Sequence, residues 1–160
     1  MPPARPRPSP RLAVYALAAF GAVLAQPAAA DGPLSRYSPP SDPTLARRIA
    51  RADAAAGERV FDRRCATCHD AEKSGAHSKG PHLWNVVGRR AGSAPGFPYS
   101  DSMRSSGHTW TLATLDYFLA DTERAVPRRA MDFTGIPDPA VRAELIAYLR
   151  TKSDAPVPLE

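Results

Sequence analysis

The chain has 160 residues, 43% of them hydrophobic, with 18 prolines and a formal net charge of +5. The length suits one domain with extensions, and so much proline excludes an architecture of long unbroken helices. Arg5, Arg7 and Arg11 lie in the first thirty residues, which hold no acid, so the remainder carries only +2, too little for the footprint of a general nucleic-acid binder.

Residues 1–30 read as a cleavable signal peptide. A basic stretch runs from Met1 to Arg11, an uncharged apolar core from Leu12 to Ala25, and small residues, Ala28-Ala29-Ala30, precede Asp31. The core is shorter than the roughly 20 residues that span a bilayer, so an uncleaved membrane anchor is the weaker alternative. No twin-arginine pair is present, and Sec-type export to the periplasm is the simpler route. Residues 31–52 form a leader or linker. Its first part, Asp31 to Pro43, is rich in proline and serine. Its second part, rich in alanine and arginine, can be helical, with Asp42 as cap and Pro43 at the first position.

The folded domain is expected over residues 53–153. Asp53 can cap a helix running to about Arg64, whose inward face carries Gly57, Val60 and Phe61 and then Cys65. A glycine inside a helix costs up to about 1 kcal/mol against alanine. Close approach by another helix and a tolerated surface glycine both explain Gly57 at this point. Next comes Cys65-Ala66-Thr67-Cys68-His69, with the only two cysteines of the chain. A Cys-x-x-Cys-His run reads as a c-type haem attachment site. Two intervening residues set the sulfurs about one helical turn apart, near the spacing of the two haem vinyl groups, and the next histidine can bind the iron from one face. In an exported chain the same cysteines have a disulfide as alternative, and the following histidine makes that the weaker reading.

Residues 70–87 hold Gly75, Gly80 and Pro81 without a long apolar period and read as loop; turn chemistry returns at Gly88 to Gly92 and Pro95 to Tyr99. A short helix is expected over Tyr99 to Met103, ended by Gly107. Thr111 caps a helix to about Thr122, with Leu112, Leu115, Phe118 and Leu119 on one face, and Pro127 stops any continuation. Asp138-Pro139 opens the last helix, which carries a stripe of Val141, Leu145, Tyr148 and Leu149. Residues 154–160 are expected as a frayed tail. The fold class is all-α: three main helices, short helices and long ordered loops around one covalently bound haem.

Haem iron has a second axial position, filled by Met or His or left open. Its candidates are Met103, Met131, His77, His82 and His108. Met131 is the strongest: it follows Pro127 in a segment without helical period, far enough from His69 for the chain to wrap the macrocycle. A lone methionine is as often core filler.

Taken together, Cys65 to His69, Gly80-Pro81-His82-Leu83, Gly88-Arg89, Ala94 to Tyr99, Trp110, Met131-Asp132-Phe133 and Leu145 to Leu149 fall in the order and spacing of class I c-type cytochromes, and most resemble mitochondrial cytochrome c and bacterial cytochrome c2. The resemblance covers about Asp53 to Lys152. It implies thioether bonds from Cys65 and Cys68, axial ligation by His69 and Met131, and a hydrogen bond from the His69 imidazole to the Pro81 carbonyl. It also implies that Arg89, Tyr99 and Trp110 hold a buried haem propionate, that Phe133 shields the haem edge, that His77 bridges loops, and that Gly57 and Phe61 meet Leu145 and Tyr148. The departures lie on the Met131 side. Arg128-Arg129-Ala130 replaces Gly-Thr-Lys, which removes a threonine that bonds a propionate. Asp121-Thr122 replaces Asn-Pro, and Phe118 stands for a tyrosine near the methionine sulfur.

The implied function is that of a soluble periplasmic single-electron carrier in a respiratory or related chain, not an enzyme, and a monomer. Its partners would be membrane or periplasmic redox proteins: a cytochrome bc1-type donor, and an oxidase, reductase or reaction-centre acceptor. Arg63, Arg64, Lys79, Arg128 and Arg129 offer a basic rim that would steer an acidic partner. The alternative is a haem subunit bound permanently in a multi-component dehydrogenase or sulfur-oxidising complex.

Overall fold

The computed structural model describes Met1 and residues 32–159; the signal-peptide reading therefore lies outside the described residues. Among the described residues six helices follow in chain order: α1 Pro43–Arg51, α2 Ala54–Arg64, α3 Asp101–Ser105, α4 Leu112–Ala120, α5 Thr122–Ala125 and α6 Pro139–Thr151. Each starts where a short polar side chain takes up a free backbone N–H. Asp42, Asp53, Ser100, Thr111, Asp121 and Asp138 are the caps, and α1 and α6 have proline in their first turn. No strand occurs among the described residues, and a single antiparallel bridge joins Arg90 to Thr109. The fold is all-α.

The helix expected to reach Thr122 stops at Ala120. Asp121 turns to extended backbone, and its carboxylate accepts from the Arg124 N–H at 3.0 Å, so a new short helix begins. A side chain that competes for backbone donors favours this restart over continuation.

The core forms where α2 crosses α6. Leu145 and Ile146 are fully buried there, and the Phe61 and Tyr148 rings lie 5.4 Å apart. Gly57 is the point of closest approach: a Cβ on it would sit 2.0 Å from the Glu144 carbonyl oxygen. α4 packs on the other side of α6. Between them Arg142, 8% exposed, donates to both Asp116 carboxylate oxygens, at 2.8 and 3.3 Å, and to the Ile136 and Pro137 carbonyls.

The leader is part of the body. α1 buries Leu45, Ala46 and Ile49 against α6 and α4. Ahead of it, Gly32 exchanges two hydrogen bonds with the Tyr117 hydroxyl, at 2.8 and 2.9 Å, Leu34 N–H donates to the Ala125 carbonyl, and Tyr37 lies 5.1 Å from the Tyr117 ring. Cavities of about 470 and 440 Å³ remain between leader and body, and His108 lines both.

The tail is held as well, against the expectation of fraying. Asp154 accepts from Lys73, Trp84 and Asn85, which holds its carboxyl well below the usual range, and Val157 packs against the core. No helix of the described residues is long and apolar enough to cross a membrane.

Candidate functional site

The Cys65–His69 segment continues α2 as a tight turn. Cys65 N–H still donates to the Phe61 carbonyl at 2.7 Å, and the N–H groups of Cys68 and His69 both donate to the Cys65 carbonyl at 2.9 Å. This keeps both sulfurs on one short arc. The cysteines are not joined in a disulfide, and each is partly buried. Burial pushes the Cys65 thiol up to about 11. A thiol-redox site needs the opposite, a depressed thiolate.

The next loop returns to hold the imidazole. Gly80 N–H donates to the Cys68 carbonyl at 2.8 Å, and His69 Nδ1 donates to the Pro81 carbonyl at 2.7 Å. A Cβ on Gly80 would lie 2.3 Å from the His69 ring, so only glycine lets the loop lie flat on it. Burial lowers the His69 pKa, and the neutral ring, with Nδ1 committed, presents Nε2 as a lone-pair donor. His77 joins two loops: its Nε2 donates to the Pro95 carbonyl at 2.8 Å and its Nδ1 accepts from the His82 N–H at 3.1 Å. Both ring nitrogens are thus engaged, as the loop-bridging role requires.

Arg89 reaches back over the same loop, donating from Nη1 to Trp84 and from Nη2 to His82 carbonyls at 3.0 and 3.1 Å. Its buried Nε has no partner among the described residues. The Tyr99 hydroxyl accepts from Ala94 N–H at 3.4 Å. Trp110 is 7% exposed and lies between His108, 4.2 Å away edge-on, and Phe118, 4.9 Å away. His108 has both ring nitrogens unpartnered among the described residues, and burial pushes it down to about 4.

On the other side, Met131 and Phe133 are partly buried against the core, as is Met103 within α3. Thr122, fully buried, donates its hydroxyl to the Phe133 carbonyl, and Ile136 N–H donates to Leu119 at 2.7 Å. Arg129 departs from expectation. It does not join the exposed basic rim: its side chain is 9% exposed, it pairs with Glu123, and its Nη2 donates to the Phe133 carbonyl at 2.8 Å. Arg63, Arg64, Lys79 and Arg128 are exposed.

Two cysteine side chains on one tight turn, a neutral buried imidazole and two buried guanidinium Nε–H groups without acceptors among the described residues, on Arg89 and Arg129, suit a macrocycle with two vinyl groups, a metal and two carboxylates. Residues 54–153, more than half of the chain, match the family model for cytochrome c. The chain belongs to the cytochrome c family. Such proteins are electron carriers, not enzymes, and carry covalently bound haem c. The chain is 44% identical over 107 residues to cytochrome c2 of Rhodomicrobium vannielii, covering 67% of this chain and 85% of that one. It is 43% identical over 98 residues to cytochrome c of Chlamydomonas reinhardtii, covering 61% and 88%. A cytochrome c-type cyt cy of Rhodobacter capsulatus is 41% identical over 99 residues, covering 62% and 49%.

Sequence reasoning missed Arg142, Tyr117 and Thr122. Each acts through a partner on another element or loop, Asp116, Gly32 and the Phe133 carbonyl in turn, and no local motif marks them.

Proposed function

We propose that this cytochrome is a periplasmic single-electron carrier in which His69 and Met131 are the axial ligands. The observation that carries the reading is the closure of the Cys65–His69 turn onto Pro81, which leaves one imidazole nitrogen free and neutral. Bound haem supplies the Fe(III)/Fe(II) couple. Cys65 and Cys68 would hold it through thioether bonds, and the Pro81 carbonyl fixes the tautomer and raises the basicity of His69. Met131 would supply a thioether ligand, which would favour the reduced state and deny the iron to outside ligands. Arg89, with Tyr99 and Trp110, would offset the charge of a buried propionate. Phe133 would shield the haem edge from water. Arg63, Arg64, Lys79 and Arg128 would steer an acidic redox partner, such as a cytochrome bc1-type donor or an oxidase, reductase or reaction-centre acceptor, into a brief encounter.

The decisive experiment is the near-infrared band of Fe(III)–S(Met) ligation in the purified ferric protein. It is expected in the native chain and absent in Met131→Ala, with a fall in reduction potential. A band and potential unchanged in Met131→Ala would overturn the ligand assignment. Electron-transfer rates to a physiological partner should fall as salt rises; rates independent of salt would remove the steering role.

A further inference from the structure

Arg129 lies two residues before Met131 in the loop where this chain departs most from the family pattern. A cation nine-tenths buried is costly unless its donors are used. The guanidinium is fixed on two edges. Nη1 donates to the Glu123 carboxylate and Nη2 to the Phe133 carbonyl, which also takes the Thr122 hydroxyl. The backbone beneath is fixed too. Arg128 takes a left-handed conformation, φ 59°, with its N–H on the other Glu123 oxygen at 3.0 Å and its carbonyl on the Ser102 hydroxyl at 2.9 Å. The third edge is open: Nε–H is buried and has no acceptor among the described residues.

A held guanidinium with one desolvated donor selects an anionic oxygen. Haem brings two carboxylates, and Arg89, whose Nε is likewise unpartnered, accounts for one of them in the function proposed above. We propose that Arg129 binds the second haem propionate through Nε–H, with Glu123 as the positioning residue that orients the guanidinium and offsets part of its charge. The arginine thus replaces a neutral hydroxyl by a full positive charge at the propionate. That charge opposes the extra positive charge of Fe(III) in a low-dielectric site and shifts the couple toward Fe(II). The proposal rests on the haem reading and adds the residue that holds the second carboxylate.

The test uses the holoprotein with haem carrying ¹³C at its propionate carboxyl carbons. It combines redox-difference infrared spectra with reduction potentials for the native chain and for Arg129→Gln, Arg129→Thr, Glu123→Gln and Arg89→Gln. Arg129→Gln and Arg129→Thr should each shift one labelled carboxylate band, and Arg89→Gln the other. Loss of the Arg129 charge should lower the reduced-to-oxidised ratio at fixed potential by about tenfold, equivalent to about 59 mV for one electron. Glu123→Gln should move the potential the opposite way. If Arg129 only bolts the loop through Glu123, the Arg129 and Glu123 variants move the potential in the same direction and leave both labelled bands in place; that result overturns the proposal. Arg129→Thr guards against a misfolded glutamine variant. A native protein lacking covalent haem, or the Fe(III)–S(Met) band, would instead overturn the haem reading itself.

Discussion

The two sides of the proposed haem site, around His69 and around Met131, are built by different means. On the His69 side, Cys65 to Leu83 is closed mainly by backbone bonds within that one segment and the end of α2: Cys65 to Phe61, His69 to Cys65, Gly80 to Cys68 and Leu83 to Asp70, with a side-chain bond from His69 to Pro81. On the Met131 side, the segment between α4 and α6 has its own bonds, from Thr122 and Arg129 to Phe133 and from Arg129 to Glu123, and is held further by side chains and backbone of other elements. Arg142 of α6 grips Asp116 and the Ile136 and Pro137 carbonyls, Ser102 reaches Arg128, and Leu34 of the leader reaches Ala125. The turn and loop that hold His69 are thus tied to each other directly, while the body reaches them from outside through the Asp154 clasp on Lys73, Trp84 and Asn85. The second side inherits the stability of whatever it leans on, and local opening begins where supports are remote.

The sharpest break of this contrast is Arg142→Met. It strips the partly buried Asp116 of its partner and leaves two loop carbonyls without their donor, an expected loss of about 3 kcal/mol. The near-infrared Fe(III)–S(Met) band should vanish at a lower temperature than far-ultraviolet helicity. Coincident transitions would show that the Met131 loop is no weaker than the body. Gly57→Ala strikes the α2–α6 crossing that anchors the His69 side, where the new Cβ meets the Glu144 carbonyl. About 1–3 kcal/mol of overpacking cost is expected, with band and helicity lost together in a thermal melt. Tyr117→Phe removes the two bonds to Gly32 and should cost about 1 kcal/mol, read as a lower melting temperature with the potential unchanged.

The smallest effect concerns His108, neutral in the fold and held down to about 4 by burial, below its ordinary 6.5. Between those values the unfolded chain binds the proton and the folded one does not. Its contribution is therefore complete above about 6.5 and is lost as pH falls toward 4. His108→Leu should flatten the melting temperature between pH 7 and pH 4.5; an unchanged slope would show that His108 does not titrate between folded and unfolded states.

Legibility followed the same division. Helix starts at Asp53, Thr111 and Asp138 could be read because a cap and its donor lie two or three residues apart. Gly57 was ambiguous by itself: its reason, the Glu144 carbonyl, is remote along the chain. Arg129 looked like one more surface charge, since nothing local tells a buried arginine from an exposed one. Asp154 looked like part of a loose end, yet its partners at Lys73, Trp84 and Asn85 make it a clasp.

The sequence by itself determined the family, the covalent haem and the all-α class, because thiol spacing, caps and apolar periods act within a few residues. The tertiary structure decided that the leader packs on α4, α5 and α6, that Arg142 ties the Met131 loop to the last helix, and that Arg129 turns inward with an open donor. Those are contacts between distant segments, and only closing the chain brings such groups within reach of each other.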